Sequence, residues 1–360
     1  ADAQTDSDNV NYDDGHSDIM LLLNIIRMYR IKDCQKSQCT EYQTEYFFMA
    51  ENIIITDVGP RDGLQNLPKA LSVSERADLI KSLIKAGITS LEIGSFVSPR
   101  AVPTMADTDL LFNLLGVNTQ VDYFALVPNF KGYQLARSVG IKNVVLVVYA
   151  SDSMANSNVG MTMEEAQQSA IKITKQAMCD HIKTTATISV AFGCPFEGNV
   201  NPAVTVDLVD KLSEAGADRL VLADTIGAAN PRQVASLINR LTEKNDPQFL
   251  GCHFHDTRAM GLANTYAAVE AGVRYFDTSI AGLGGCPFAP GSSGNVATED
   301  VVMMLEQMGY CTGINLNELM SASKFAAKLT ESKSSGRASA WLNSQVGDQS
   351  LSMAFKTKRD

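Results

Sequence analysis

The feature that most constrains the fold is a regular alternation of short β-rich runs with segments of helical period. Eight runs are predicted strands: "IIITDVG" (53–59), "SLEIGSF" (90–96), "VDYFALV" (121–127), "NVVLVVYA" (143–150), "ATISVAF" (186–192), "RLVLADT" (219–225), "FLGCHFHD" (249–256) and "YFDTSIAG" (275–282). Strands this apolar, separated by helices, are typical of a parallel sheet that helices cover. Eight such units predict a closed (β/α)8 barrel, the TIM-barrel fold.

The segments between these runs carry helix start and stop signals. Helices are predicted over 72–87, 162–178, 202–216 and 230–244. Several begin with Ser, Thr, Asn or Pro, and "AG" recurs at 86–87, 215–216 and 271–272, a few residues before the next strand. This pattern indicates helix caps that lead into short loops.

The alternative fold is a doubly wound open sheet. That fold would favour a G-x-G-x-x-G turn after the first strand. The chain has "GPRDGLQ" there instead, so the barrel is the better prediction.

Domain boundaries follow from the composition along the chain. Residues 1–48 begin acidic, polar and without period, which predicts a disordered or added leader outside the chemistry, with Met49 as a natural start. Residues 49–330 are predicted to form the catalytic barrel. Residues 331–360 are predicted to be a C-terminal tail with a short helical extension.

Charge and composition limit the class of partner. A net charge of −10 and the lack of a basic stripe argue against a nucleic-acid partner. No apolar run approaches the roughly 20 residues that cross a bilayer, so no membrane contact is expected. Seven scattered cysteines without a secretory signal indicate reduced thiols in a reducing compartment.

Polar residues concentrate where the predicted strands end, which is where active sites of (β/α)8 barrels form. These residues are Arg61 and Asp62 after the first strand, Glu92 in the second, Asp224 in the sixth, His253 and His255 in the seventh, and Cys286 and Asn295 in the loop after the eighth. Ionisable groups at this density are costly unless they are paired or bind a metal.

The stretch "HFHDTR" places two histidines on one face of a strand, because side chains alternate along it. A bare H-x-H pair is usually ordinary, and Asp62 alone could be a helix cap and Asn295 a turn residue. Together, Asp62, His253, His255 and Asn295 make a mixed nitrogen and oxygen set that suits Mg²⁺ or Mn²⁺.

Two further residues have a structural and a chemical interpretation. Arg61 could form a salt bridge to Glu92 or Asp224, or it could stabilise an enolate oxygen. Cys286 lies in the glycine-rich loop "GLGGCPFAPGSSGN"; it could be incidental, or its thiol could transfer a proton.

Six motifs carry a family resemblance over roughly residues 52–330. They are "DVGPRDGLQN", "SFVSPRAVPTMAD", "FGCPFEG", "ADTIG", "HFHDTRAMGLANT" and "AGLGGCPFAPGSSGNVATED". They resemble the 3-hydroxy-3-methylglutaryl-CoA lyases, and their residues are similar to those of the bacterial members.

The resemblance implies a dimeric barrel that splits this thioester into acetyl-CoA and acetoacetate with Mg²⁺ or Mn²⁺, in leucine degradation or ketone-body formation. It implies that Asp62, His253, His255 and Asn295 are the metal ligands. Arg61 is implied to bind the substrate and steady its enolate. Cys286, His253, Glu92 and Asp224 are implied to be needed for activity, and either Cys286 or His253 protonates the enolate.

Some positions depart from the family. Pro68 and Lys69 stand near the place where animal members often carry a lysine, which leaves the contacts to the CoA phosphates open. The chain ends in "KTKRD", without the cysteine of animal members, and its leader is acidic, unlike a mitochondrial transit peptide. The cytoplasm is therefore expected, with the mitochondrial matrix second.

Three alternatives keep the fold but change the function. One is a lyase for a longer branched 3-hydroxyglutaryl-CoA. Another is a condensing relative, which would usually open with D-x-T-L-R-D-G-x-Q and carry extra regulatory segments. The third is a non-enzymatic metal-binding descendant, which would be expected to lack a ligand or the loop cysteine; all are present in this sequence.

Overall fold

A computed structural model describes residues 51–285, 294–332 and 336–345. Eight parallel strands form a closed barrel in which chain order is kept around the ring, and the first strand pairs with the last. The strands are β1 Ile54–Asp57, β2 Ser90–Ser95, β3 Asp122–Leu126, β4 Asn143–Tyr149, β5 Lys183–Ser189, β6 Arg219–Asp224, β7 Leu250–Phe254 and β8 Tyr275–Thr278. The predicted (β/α)8 fold is confirmed.

Helices connect these strands and extend beyond the last one. They are α1 Val73–Lys85, α2 Thr108–Leu115, α3 Phe130–Ser138, α4 Asp152–Val159, α5 Met163–Cys179, α6 Pro202–Glu214, α7 Pro231–Thr242, α8 Gly261–Glu270, α9 Thr298–Gln307, α10 Leu316–Thr330 and α11 Ser339–Gln345. A short π-helical turn, Gly59–Gly63, follows β1, and a two-stranded ribbon, Gly193–Cys194 with Gly198–Asn199, follows β5. The helix α11 is the predicted C-terminal helical extension.

The predicted helix caps are present. Ser72, Thr162 and Asn230 each form a capping box at the start of α1, α5 and α7. Such a cap satisfies backbone N–H groups that have no partner within the helix. The glycines of the three "AG" pairs all adopt positive φ, between 93° and 99°, and end their helices as the sequence indicates.

The fifth strand differs from its prediction. It spans Lys183–Ser189 instead of 186–192. Its full pairing with β4 includes the charged and threonine-rich start "KTT", which lacks the apolar character used for the prediction. The strand ends at Ser189 because Val190 adopts a φ of 54°, a left-handed conformation that interrupts extended backbone.

The two faces of each strand have different neighbours. In β4, Val144, Leu146 and Val148 are buried in the hydrophobic core between barrel and helices. Val145 and Val147 alternate with them and line a cavity inside the barrel. The helices therefore stabilise the outer face, and the inner face is left to form a site.

Two predictions lie wholly or partly outside the described residues. Nothing described bears on the predicted leader over 1–48, and the boundaries at 49 and 331 stay predictions. In the described part of the chain, each helix is too short or too polar to cross a bilayer.

Candidate metal and catalytic site

A cavity of about 440 Å³ occupies the barrel interior and includes residues at the C-terminal ends of the strands. Its wall combines apolar side chains such as Phe124 and Leu126 with a dense polar group. The polar group contains Thr56, Arg61, Asp62, Glu92, His253, His255 and Asp277. Most of the polar residues predicted from the sequence are therefore gathered in one place.

The turn after β1 presents Arg61 and Asp62. The backbone N–H groups of Arg61, Asp62 and Gly63 all donate to the carbonyl oxygen of Val58, at 3.1, 2.7 and 3.2 Å. The buried carboxylate of Asp57 accepts the N–H of Gly59 at 2.8 Å. These bonds fix the turn, so that two adjacent charged side chains project into the same cavity.

The histidine pair is contributed by the end of β7. The rings of His253 and His255 lie on the same side with centroids 5.3 Å apart, as the alternation of side chains requires. One ligand atom from each histidine and one carboxylate oxygen of Asp62 all lie within 4.8 Å of one another. This spacing is compatible with a single shared ion.

Asn295, in the segment that leads into α9, contacts this group through Asp62. Its Nδ2 donates to Oδ2 of Asp62 at 2.8 Å and to the carbonyl oxygen of Leu283 at 3.0 Å. Both partners are acceptors, so the nitrogen must face them. Oδ1 of Asn295 is then buried without a hydrogen-bond partner, so it is the atom of this side chain that is available to a cation.

Gly284 and Gly294, on either side of the glycine-rich loop, lie very close to each other. A Cβ atom on Gly294 would lie 2.4 Å from the carbonyl oxygen of Gly284, and a Cβ on Gly284 would lie 2.5 Å from Nδ2 of Asn295. Contacts this short exclude any side chain at either position. Both glycines therefore allow Asn295 to reach Asp62.

Arg61 is held by two carboxylates at once. Its Nη1 lies 2.8 Å from Oδ1 of Asp62, and its Nη2 lies 2.7 Å from Oε2 of Glu92. The predicted salt bridge to Glu92 is therefore present, whereas Asp224 is not an ion-pair partner of Arg61. A guanidinium has five N–H donors, so this pairing leaves donors for a ligand in the cavity.

The protonation states suit a cation bound between these residues. Burial alone would raise the pKa of Asp62, but Arg61, His253 and His255 together lower it to about 2. Burial, with repulsion from His253, lowers the pKa of His255 to about 4. At neutral pH, Asp62 is thus a carboxylate and His255 a neutral imidazole, which are the forms that bind metal.

His253 has a different neighbour, which the sequence analysis missed. Its Nδ1 lies 3.4 Å from Oδ2 of Asp277 in β8, and this leaves Nε2 as the candidate ligand atom. Burial opposes a charge on His253, but hydrogen bonding and attraction to Asp277 raise its pKa above the ordinary value. Metal-binding histidines commonly carry such a carboxylate on the second nitrogen.

The other two predicted carboxylates have separate roles in the structure. Glu92 is almost fully buried beside Arg61, and burial, only partly offset by Arg61, raises its pKa to about 7. Asp224 is not among the described residues that line the cavity. It accepts the N–H groups of Ala228 and Ala229, at 2.7 and 3.1 Å, and so shapes the loop after β6.

Cys286 lies outside the described residues, and its catalytic role stays a prediction. Asp62 lies inside the turn whose N-cap is Val58, and the N-cap of α9 is Ala297, so neither Asp62 nor Asn295 caps a helix. Ser72 caps α1, and the carboxylate of Asp62, which lines the cavity, accepts a hydrogen bond from the amide of Asn295. The described geometry can thus bind a hard cation beside a fixed guanidinium.

Comparisons with known proteins identify relatives over most of the chain. The HMGL-like family model matches residues 52–326. A hydroxymethylglutaryl-CoA lyase of Pseudomonas mevalonii is 41% identical over 262 residues, covering 73% of this chain and 87% of the relative. An (R)-citramalyl-CoA lyase of Chloroflexus aurantiacus is 40% identical over 283 residues, covering 76% and 89%.

A solved structure has the same architecture. It is an HMG-CoA lyase from Acinetobacter baumannii in complex with coenzyme A and 3-methylmalate. Its TM-score to this chain is 0.78 at 35% sequence identity, with 82% of this chain and 96% of that chain covered.

Proposed function

Because the chain belongs to the HMGL-like family, we propose that it is a hydroxymethylglutaryl-CoA lyase, which cleaves 3-hydroxy-3-methylglutaryl-CoA to acetyl-CoA and acetoacetate. The observation that carries the proposal is the cluster of Asp62, His253 and His255, whose ligand atoms lie within 4.8 Å of one another. The curated relative from Pseudomonas mevalonii carries the name of this activity. An acyl-CoA thioester is accordingly the substrate class.

The donor set fits a divalent cation of the Mg²⁺ or Mn²⁺ type. Asp62, His253, His255 and Asn295 would hold it with carboxylate, imidazole and amide atoms and without a thiolate. The unpartnered Oδ1 of Asn295 supports this assignment, since a buried amide oxygen without a partner is costly. When bound, such an ion polarises substrate oxygens and lowers the cost of ionising an alcohol.

Arg61 is the residue placed to stabilise charge on the thioester oxygen. When the carbon–carbon bond breaks, its electron pair moves into the acetyl-CoA half, and negative charge collects on that oxygen. Asp62 and Glu92 hold the guanidinium in place before the reaction. A donor that needs no reorientation as charge develops gives the largest stabilisation.

Two proton transfers complete the reaction. The tertiary hydroxyl loses its proton, and the acetyl carbon gains one after the bond has broken. His253 lies in the cavity wall with Asp277 on its second nitrogen; while Nε2 holds the metal, it can exchange a proton only through Nδ1 and Asp277. Cys286 is the other candidate for the acid, from the resemblance alone.

The proposal has finer parts that rest on the resemblance. They are the identity of the metal as Mg²⁺ or Mn²⁺, a homodimeric assembly, a place in leucine degradation or ketone-body formation, and a cytoplasmic location with the mitochondrial matrix as second choice. The contributions of Cys286, Glu92 and Asp224 to activity also belong to the proposal.

A product assay tests the function and its main competitor. Acetoacetate release from 3-hydroxy-3-methylglutaryl-CoA is measured after chelation with EDTA and again after adding Mg²⁺ or Mn²⁺. The expected result is metal-dependent release. Turnover that survives complete chelation would contradict the metal-dependent reaction.

The same assay includes citramalyl-CoA, because the relative named for that substrate is nearly as similar as the first one. Cleavage of that thioester would release pyruvate, which a coupled dehydrogenase detects. A larger kcat/KM for citramalyl-CoA would assign this chain to that substrate instead.

A further inference from the structure

Glu299 is a fully buried carboxylate near the site to which the reaction above gives no role. It lies in the first turn of α9 and is 0% exposed. In the described part of the chain it has no ion-pair partner. A buried charge without a cation is costly unless hydrogen bonds satisfy it, so the groups that donate hydrogen bonds to Glu299 indicate which segments it organises.

One oxygen of Glu299 faces the start of the glycine-rich loop. Oε2 accepts the backbone N–H of Ala281 at 3.0 Å. Two residues further on, the carbonyl oxygen of Leu283 accepts Nδ2 of Asn295. Glu299 therefore fixes the short segment against which the amide of Asn295 is oriented.

The other oxygen faces the C-terminal part of the chain. Oε1 accepts the hydroxyl of Ser323 in α10 at 2.7 Å, the N–H of Gly336 at 3.1 Å and the hydroxyl of Ser339 at 3.4 Å. One carboxylate thus joins the root of the loop, at Ala281, to α10 and to the C-terminal segment.

The C-terminal segment, residues 336–345, makes further contacts beside Glu299. Asp300 accepts the N–H groups of Arg337 and Ala338, at 2.6 and 3.0 Å. Nε of Arg337 lies 2.7 Å from Oδ2 of Asp256, the residue that follows His255. The segment therefore contacts the residue that follows His255 and the helix that follows Asn295.

Close packing against Glu299 and Asp300 leaves no space for a side chain at position 336. A Cβ atom there would lie 2.6 Å from Cγ of Glu299 and 2.6 Å from Oδ1 of Asp300. Both neighbours are held by several hydrogen bonds and are not free ends of flexible chains. A larger residue at this position must displace the carboxylates.

We propose that Glu299 is a positioning residue for the metal ligand Asn295, and that the C-terminal segment 336–345 belongs to the site because it supplies donors to Glu299. The proposal rests on the proposed function, since Asn295 matters here as a ligand. It assigns Glu299 no contact with the substrate.

The test is a double-mutant cycle on metal affinity, with Mn²⁺ as the probe and electron paramagnetic resonance as the readout. Glu299→Gln should weaken Mn²⁺ binding about 10- to 100-fold, the usual effect of losing a group that orients a ligand. In an Asn295→Ala background, the same change should weaken binding by less than about threefold, because the ligand that it positions is already gone.

The matched control is Glu306→Gln. Glu306 lies in the same helix and also accepts a backbone N–H and a hydroxyl, both from Thr312, but it is exposed. The Mn²⁺ affinity of the Glu306→Gln variant should equal that of the unmodified protein. If Glu299→Gln does not fold, Gly336→Ala replaces it in the same cycle, with the same expected values.

The outcomes separate the two proposals. Equal losses for Glu299→Gln in both backgrounds would show a general structural role and overturn the positioning role. No loss in the unmodified background, with folding confirmed by circular dichroism, would overturn it as well. If the unmodified protein binds no Mn²⁺, the proposed function fails first.

Discussion

Nδ2 of Asn295 lies 2.8 Å from Oδ2 of Asp62, although 233 positions separate the two residues in the chain. This hydrogen bond joins the turn after β1 to the segment after β8. Because the nitrogen of the amide is used here and on Leu283, its oxygen is the atom left for a ligand. One contact thus brings together an oxygen atom that follows the first strand and one that follows the last strand, at the same end of the barrel.

His255→Ala should remove Mn²⁺ binding while the barrel stays folded. We expect a loss of more than about 100-fold, beyond the range for groups that only orient a ligand. Titration calorimetry measures the affinity, and circular dichroism checks the fold. His181→Ala is the control, since His181 is exposed and is not one of the described residues that line the cavity. Unchanged affinity in His255→Ala would remove His255 from the ligand set.

Arg61→Lys should lower kcat for thioester cleavage by about 100- to 1000-fold, the usual effect of losing one donor to a developing oxyanion. An ammonium cannot pair with Asp62 and Glu92 in the fixed geometry of a guanidinium. Steady-state kinetics at saturating Mg²⁺ measures the change. Arg137→Lys, at an ion pair with Asp180 on a half-exposed side chain, should leave kcat unchanged; a similar kcat in both variants would contradict the role of Arg61.

Asp277→Asn should weaken Mn²⁺ binding about tenfold, because the carboxylate that faces Nδ1 of His253 increases the basicity of this ligand. The KM for the thioester at saturating metal should change little. Asp218→Asn is the control: its carboxylate accepts the N–H of Thr184 at the opposite end of the barrel. Equal Mn²⁺ affinities in the two variants would remove Asp277 from the site.

Stability should depend on pH through Asp57, which is fully buried. Burial raises its pKa to about 7, from 3.8 for the ordinary side chain, despite hydrogen bonds from Thr298 and Gly59. The folded chain therefore holds this proton more tightly than the unfolded chain does. The resulting stabilisation is complete below pH 3.8 and is lost as the pH rises to about 7.

Asp57→Asn cannot titrate at this position. Between pH 3.8 and about 7, the free energy of unfolding of the unmodified protein should therefore fall relative to that of the variant as the pH rises. The difference should grow by at most about 1.4 kcal/mol per pH unit. Melting temperatures measured at pH 5 and pH 8 test the sign. A difference that shrinks toward pH 8 would contradict a raised pKa for Asp57.

Most of the barrel could be predicted because its strands are apolar and its helices carry explicit caps. The exception is instructive. The start of β5 is polar, and its pairing with β4 overrides that local character. The left-handed conformation of Val190 is rare for a β-branched residue and has no signal in the sequence.

The site residues at strand ends could be predicted because the fold places such ends together. Asp277 was missed because it lies inside β8, where an acidic residue has no distinguishing neighbour in the sequence. Glu299 was missed for another reason. Acidic residues are common in the first turn of a helix, and only the packing of α10 and the C-terminal segment shows that this one is buried.

The pairing of β1 with β8 has a consequence for biogenesis. The predicted ligands lie on both of the strands that close the barrel: Asp62 follows β1, and Asn295 follows β8. A chain emerging from the ribosome cannot assemble them until its final strand has docked against its first. A divalent cation would therefore bind only to the completely folded chain. Its binding would stabilise the native state and not the partly folded ones.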